Sequence, residues 1–516
     1  MRRKVFTILS FFLLIVILIL SSKRIPTANI TKTTPTATMP SSPAHTIATD
    51  TSVPTTDTSV PTTDTSVPTT DTSVPTTDTS VPTTDTSVPT TDTYYVASTG
   101  SDSNPGTLVQ PWLTIQHAID TATTAGDTVN IMAGNYTTPP LVLDHSGSSG
   151  GGYITFQNYN GATVNIAVTS FGYVGLSVYR VNYIKIIGLR ISAPTVIYYG
   201  VDFNSSNYCF IQNCYITNTK SSGIYSEGST YITIDGCEVT YTNTNPVEEM
   251  ISIVQTAHFE IKNCKVHDPG SAARCGIDMK QGCSYGSVHD NEVYNLFGLY
   301  PTGIYIDSRG ITSNIDIYNN KVHDIPQGCG IEIGDENGNG SIADMNIYNN
   351  IVYKCYLSGF ELAQRGTETF TNIYFINNTL YQNSNSLGYP EIYINTKPAY
   401  TTNCIIRNNI IYSTINQSNP IFDANNSYAD GKLLIDHNLF YNSGGSFAIN
   451  SQNIYGNNYI MGNPLFTSAI TDFTIQTGSP AKNAGSATLA PSIDYIRTSR
   501  PQGAGYDIGA YEYPTG

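Results

Sequence analysis

The chain has 516 residues, of which only 12% are charged, with 37 tyrosines and a net charge of −15. So few Lys and Arg cannot cluster as phosphate binding requires, which excludes a nucleic-acid partner and adsorption to anionic lipid. A composition rich in Tyr, Gly and Asn favours strands and tight turns over surface helices.

The N-terminal segment, 1–24, reads MRRKVFTILSFFLLIVILILSSKR, a basic start followed by an apolar run from Val5 to Leu20. This is the pattern of a secretory signal peptide or an uncleaved signal anchor. At roughly 16 residues the run is slightly short of the ~20 that span a bilayer, and no clean small-x-small cleavage site follows, which tilts the reading towards an anchor. The remainder is expected to be extracellular, secreted or tethered to the cell surface, touching membrane only through this segment. From 25 to 93 the chain is Thr/Ser/Pro-rich, and from Thr49 to about Thr93 it repeats TDTSVPT with a strict seven-residue period. A proline in every repeat forbids a helix and nothing apolar is available for a coiled-coil seam, so this reads as an extended, disordered stalk.

Folding is expected to begin at 94, where a short strand and a Gly/Pro/Asn loop precede a helix from about Thr114, with Ile115, Ala118, Ile119 and Ala122 on one face. Beyond it lies a degenerate repeat. IIGLRI, IQNCYI, IDGCEV, IKNCKV, VHDNEV, IYNNKV, IYNNIV, INNTL and RNNII align into one column: Leu189, Cys214, Cys237, Cys264, Asn291, Asn320, Asn350, Asn378 and Asn409. The steps are too short for βαβ units, so each repeat is one coil of a parallel β-helix stacked at ~4.8 Å. The expected fold class is therefore all-β, a right-handed parallel β-helix with an N-terminal capping helix, over 94–460. A C-terminal cap segment follows at 461–516.

Asn at a tight turn satisfies backbone groups, and stacked amides can bond from coil to coil. The cysteines of the same column read as small buried fillers. A parallel column, His267, Tyr294, His323, Tyr353, Tyr381 and Tyr412, reads as an aromatic stack that covers itself.

A second strand recurs behind a glycine: GVDFN, GIYSE, GIDMK, GIYID, GIEIG and GFELA, continued by EIYIN. Alternation puts Val201, Ile224, Ile277, Ile304, Ile331 and Phe360 inside, together with Phe203, Met279, Ile306, Ile333 and Leu362. Two outward rows remain. One runs Asp202, Tyr225, Ser252, Asp278, Tyr305, Glu332, Glu361, Tyr393, and the other Asn204, Glu227, Val254, Lys280, Asp307, Gly334, Ala363, Asn395. They gather Asp278, Lys280, Asp307 and Glu332 on three successive coils, with Arg309, Asp335 and Glu336 just past the strand ends. In so lightly charged a chain this cluster reads as a site on an open face.

The opening YYVASTGSDSNPGT…PWLTIQHAID…AGDTV…AGNY and the ending DFTIQTGSPAKNAG…RPQGAGYDIGAYEY resemble terminal segments of the pectin-lyase-like superfamily of right-handed parallel β-helix proteins. The resemblance implies that the Asn ladder marks the turn between the second and third strand of each coil. It also implies that the Gly-preceded strand is the first and lines a carbohydrate groove. In polysaccharide lyases of the family 9 kind a lysine on this face is the base and aspartates hold Ca²⁺, and Lys280 matches that lysine by position.

Three readings follow. The first is β-elimination on a uronate-containing polysaccharide, with Lys280 as base, Arg309 or Ca²⁺ neutralising the enolate-like charge, and Asp307, Glu332, Asp335 and Glu336 as calcium ligands. The second is inverting glycoside hydrolysis by paired carboxylates, Asp278 or Asp307 with Glu332. The third is a non-catalytic glycan-binding surface protein. Elimination is placed first. Tyr225, Tyr305, Glu361 and Tyr393 are the expected substrate contacts, and the protein is expected to act as a monomer.

Overall fold

The computed structural model describes residues 91–245, 249–271, 273–384, 389–414, 420–423, 432–445, 447 and 458–514. The expected signal segment and all but the last residues of the stalk lie outside them. No helix of the described residues is long and apolar enough to cross a membrane.

The repeats fold as a parallel β-solenoid of about ten turns, its three sheets having 11, 14 and 13 strands. Each coil contributes one strand to each sheet in turn, as in Cys275–Lys280, Ser284–His289 and Glu292–Tyr294. The Gly-preceded strand is the first of these, and the ladder residue follows the second. The only α-helix among the described residues is Ile115–Thr121, capped by Thr114, with Ile115, Ala118 and Ile119 buried against the first coil.

Backbone conformation explains the polar pair at each second turn. Its first member takes a left-handed φ, as at Asn213 (52°), Asn263 (54°), Asn319 (54°), Asn349 (54°) and Asn377 (55°). Gly and Asn tolerate that region best, which accounts for the residue types found there. The second member then points inward. Asn350 is fully buried; its Nδ2 donates to Ile317 O (2.8 Å) and Asn378 Oδ1 (3.0 Å), and its Oδ1 accepts from Asn320 N and Nδ2 at 3.0 Å each. The same arrangement links Asn291, Asn320, Asn350, Asn378, Asn409 and Asn438. Cys214, Cys237 and Cys264 continue the column as buried free thiols.

The first members point outward, and three of them hold the C-terminal segment. Asn349 donates to Ile493 O (2.8 Å), Asn377 to Asp507 O (2.9 Å) and Asn408 to Ser486 O (2.8 Å). The segment therefore runs back along the flank of the coils, and its buried Arg500, paired with Glu512 of the same segment (2.7 Å), donates to Asn349 Oδ1 at 3.4 Å. Phe466, Phe473 and Ile475 cover Tyr353 and Tyr381 of the aromatic column. In that column His267, Tyr294, His323 and Tyr353 stack face to face at 4.6 to 5.1 Å, so the rings cover one another.

Asn350→Ala should strand the Asn320 N–H and the Ile317 carbonyl in a dry core, lowering stability by about 3 kcal/mol. Asn346→Ala, which removes an exposed amide bonded to Asp316, should stay within about 0.5 kcal/mol. Chemical denaturation midpoints of the two variants measure the difference, and equal midpoints would show that the ladder contributes nothing special.

Candidate functional site

The strand pairing brings the two outward rows together. Asp278 pairs in register with Tyr305, Tyr305 with Glu332, Glu332 with Glu361 and Glu361 with Tyr393, while Lys280 pairs with Asp307. At the other end Asp202 pairs with Tyr225 and Tyr225 with Ser252, which meets Asp278.

The face is not open to solvent, which corrects the expectation of a site on an open face. Asp278 and Asp307 are 1% exposed, Lys280 and Tyr305 4% and Glu332 6%. The loops that enter and leave the first-sheet strands rise on either side of it and enclose a cleft of about 490 Å³. It is lined by Glu249, Arg274, Thr302, Tyr305, Glu332, Glu336 and Arg365 among others.

Three charge groups make up the site. In the first, Lys280 Nζ lies 2.6 Å from Glu249 Oε2 and 3.5 Å from Asp278 Oδ2, and Glu249 also accepts from Ser252 Oγ (3.1 Å). The other oxygen of Asp278, Oδ1, is buried without a hydrogen-bond partner. Burial, and after it the negative Glu249, push the Asp278 carboxyl well above the ordinary range, although Lys280 pulls the other way. In the second group Asp307 meets Arg309 Nε at 2.5 Å and accepts from Glu336 N at 2.9 Å, and Arg309 also pairs with Glu336. Burial still pushes Asp307 up to about 6.

In the third group Glu332 is clamped between Arg365 Nη2 (2.7 Å) and Thr302 Oγ1 (3.0 Å), and Arg365 Nη1 donates to the Tyr305 hydroxyl (3.0 Å). Burial opposes the charge on Arg365, but Glu332 and the Tyr305 hydroxyl together more than offset it and raise the pKa of the guanidinium. Glu361 comes next along the row. Burial and then the charge on Glu332 push its carboxyl up to about 8.

The expected calcium set does not assemble. Asp335 is fully buried, and its two oxygens accept from the backbone N–H groups of Asn337, Asn339 and Gly340, so it closes its own loop. Asp307 and Glu336 are occupied by Arg309, and Glu332 by Arg365. Among the described residues the three side chains that converge tightly enough for a metal are Cys329, Glu332 and Glu361, with ligand atoms within 4.8 Å of one another. A thiol in that set is a poor match for calcium, which selects oxygen.

Arg365, Glu249, Arg274 and Thr302 were not singled out from the sequence. Arg365 lies two residues past its strand, as Arg309 does, so the same signal was available. Glu249 sits in an irregular stretch before its strand, where no period marks it. Tyr225 and Tyr393 occupy the expected row but lie outward from the cleft on opposite sides.

Residues 94–250 match the family model described as "Pel9A-like, right handed beta helix region", and residues 199–380 the one described as "Right handed beta helix region". The chain carries a Pel9A-like right-handed β-helix. Among solved structures it is similar to pectate lyase Pel9A, at 15% identity over 82% of this chain and 96% of that one, with a TM-score of 0.43. It is also similar to XylC in complex with xylose, at 11% identity over 82% and 99%, TM-score 0.49. A third is PfbA, a surface adhesin of Streptococcus pneumoniae, at 12% identity over 64% and 87%, TM-score 0.46. A curated relative, the uncharacterized protein YwoF of Bacillus subtilis (strain 168), is 44% identical over 73 residues, 14% of this chain and 15% of that protein's length. At these identities the likeness is one of winding.

A carboxyl whose pKa is raised on folding holds more protons folded than unfolded, so it makes stability fall as pH rises. For Glu361 that fall runs from its ordinary value of 4.5 up to about 8. Glu361→Gln should flatten this part of the melting-temperature profile and raise the melting temperature above about pH 8. An unchanged slope would show that Glu361 titrates normally.

Proposed function

We propose that the first-sheet cleft is the active site of a carbohydrate-active enzyme that hydrolyses glycosidic bonds. Asp278 is its general acid and Glu332 its general base. The observation that carries this reading is the row itself: Asp278, Tyr305 and Glu332 stand on three consecutive strands in register. Two strand spacings put the Cα atoms ~9.6 Å apart. Side-chain reach brings that within the ~6.5–9.5 Å at which an inverting pair admits a water on the far side of the sugar. The two environments differ in the sense such a pair requires. Asp278 is buried beside Glu249 and favours its protonated form, with one oxygen unpartnered; Glu332 is held against a guanidinium. In the reaction the Asp278 proton passes to the leaving oxygen, and Glu332 takes a proton from the attacking water. Arg365 and Thr302 fix the orientation of the base.

The charge balance favours a substrate without carboxylates. Among the charged groups that line the cleft, Glu249, Glu332 and Glu336 outnumber Arg274 and Arg365, in a chain of net charge −15. A polyanion would meet a field of its own sign at close range. The apolar N-terminal segment and the stalk would hold this activity outside the cell.

β-Elimination on a uronate glycan is the second reading, favoured by the Pel9A-like match over 94–250. It needs Lys280 as a free amine, which carboxylates at 2.6 and 3.5 Å disfavour.

Glu332→Gln and Asp278→Asn should each lower turnover of a susceptible neutral glycan by about 10²-fold or more, with binding retained. Products should be reducing ends without ultraviolet absorbance. An unsaturated, absorbing product from a polyuronate, abolished by Lys280→Ala, would replace hydrolysis with elimination.

A further inference from the structure

Three rungs from Asp278 towards the N-terminus, roughly 14 Å along the same face, the groove changes character. Asp202 is 7% exposed although it points away from the core, and its Oδ1 has no hydrogen-bond partner. Burial, and then Glu227 on the next strand, push its carboxyl up to about 7. Glu227 accepts from the Tyr225 hydroxyl at 3.3 Å and from Asn204 Nδ2 at 3.5 Å, and Tyr225 stacks on Tyr199 with ring centroids 3.9 Å apart. No Lys or Arg among the described residues forms an ion pair with Asp202 or Glu227; Arg180, just past the first-sheet strand of the adjacent coil, lies over the ring of Tyr179. The cleft around Glu332 differs in this respect, since Glu332, Asp307 and Glu336 each meet an arginine.

Two neighbouring carboxylates, one of them sealed, without a counter-ion are costly. A ligand that brings a positive charge removes the cost. Both side chains, when ionised, only accept hydrogen bonds, so an ammonium with three donors satisfies them and a sugar carboxylate is repelled. Tyr199 and Tyr225 supply the aromatic wall that a cation tolerates and a desolvated anion does not.

We propose that Asp202, Glu227, Asn204 and Tyr225 form a distal subsite for a hexosamine unit carrying a free amine, several sugar units away from the bond to be cut. This rests on the reading that the first-sheet groove binds glycan, and it narrows that substrate from a non-anionic glycan to one containing amino sugars.

The test uses the full chain and three oligosaccharides of equal length: a glucosamine oligomer, its fully N-acetylated counterpart and a glucose oligomer. Calorimetric titration of the wild type should show the free-amine oligomer binding at least tenfold tighter than the other two. Asp202→Asn and Glu227→Gln should each abolish that preference. Melting temperatures show whether the variants fold, and Asp202→Asn should melt no lower than wild type, since it removes an unpartnered buried carboxylate. Equal affinity for all three oligomers, or an amine preference that survives both substitutions, overturns the subsite. Glu332→Gln separates the two proposals: amine preference with no hydrolysis by any form of the protein leaves the subsite standing and removes the catalytic reading. Hydrolysis without the preference does the reverse.

Discussion

Everything on the groove depends on coils stacking without a slip, and the buried Asn ladder is the interaction that prevents one. A one-residue shift in a strand exchanges its inner and outer faces, which here would bury Asp278 and Glu332 among isoleucines. Each ladder amide bonds to the next coil's amide and to a backbone carbonyl of the preceding coil, so a shift would leave several buried polar groups unpaired at once. Hydrophobic burial also opposes that shift, but it discriminates weakly against a two-residue slip, because one Ile or Val row packs about as well as another.

With register fixed, a two-residue alternation becomes a two-dimensional array. Side chains some thirty residues apart in sequence become neighbours one strand spacing away, and the loops beside the first sheet remove water from them. Taking carboxylates out of water pushes their pKa values up, as at Asp278 and Asp307. Arginines from the flanking loops meet others, as Arg365 meets Glu332 at 2.7 Å. Two carboxylates in contrasting surroundings on one row, Asp278 beside Glu249 and Glu332 against Arg365, are thus consequences of burial and pairing, with no local motif needed.

The polar pair at each second turn shows how much one dipeptide can carry. Its first residue accepts a left-handed backbone and offers an amide outward, where the C-terminal segment uses Asn349, Asn377 and Asn408 as clasps. Its second residue turns inward and joins the ladder. This division follows from backbone geometry, since adjacent residues across such a turn face opposite ways. The clasped segment covers the lower aromatic column, so that face is closed to solvent along Tyr353 and Tyr381.

Period and residue type by themselves determined the coils, the inward and outward rows, the ladder and the short helix, because each is a repeating local pattern that one chain segment displays alone. They also placed Asp278, Lys280, Asp307 and Glu332 on one face. What only the tertiary structure decided is the state of those groups. That Asp335 spends its carboxylate on its own loop, that Glu249 reaches Lys280, and that Arg365 crosses to Glu332 and Tyr305 all depend on non-periodic loops folding over the sheet. Sequence spacing carries the direction of a side chain on a strand. It does not carry the water that a loop excludes or the partner that a long side chain reaches, and those two quantities set the surroundings of every group in the cleft.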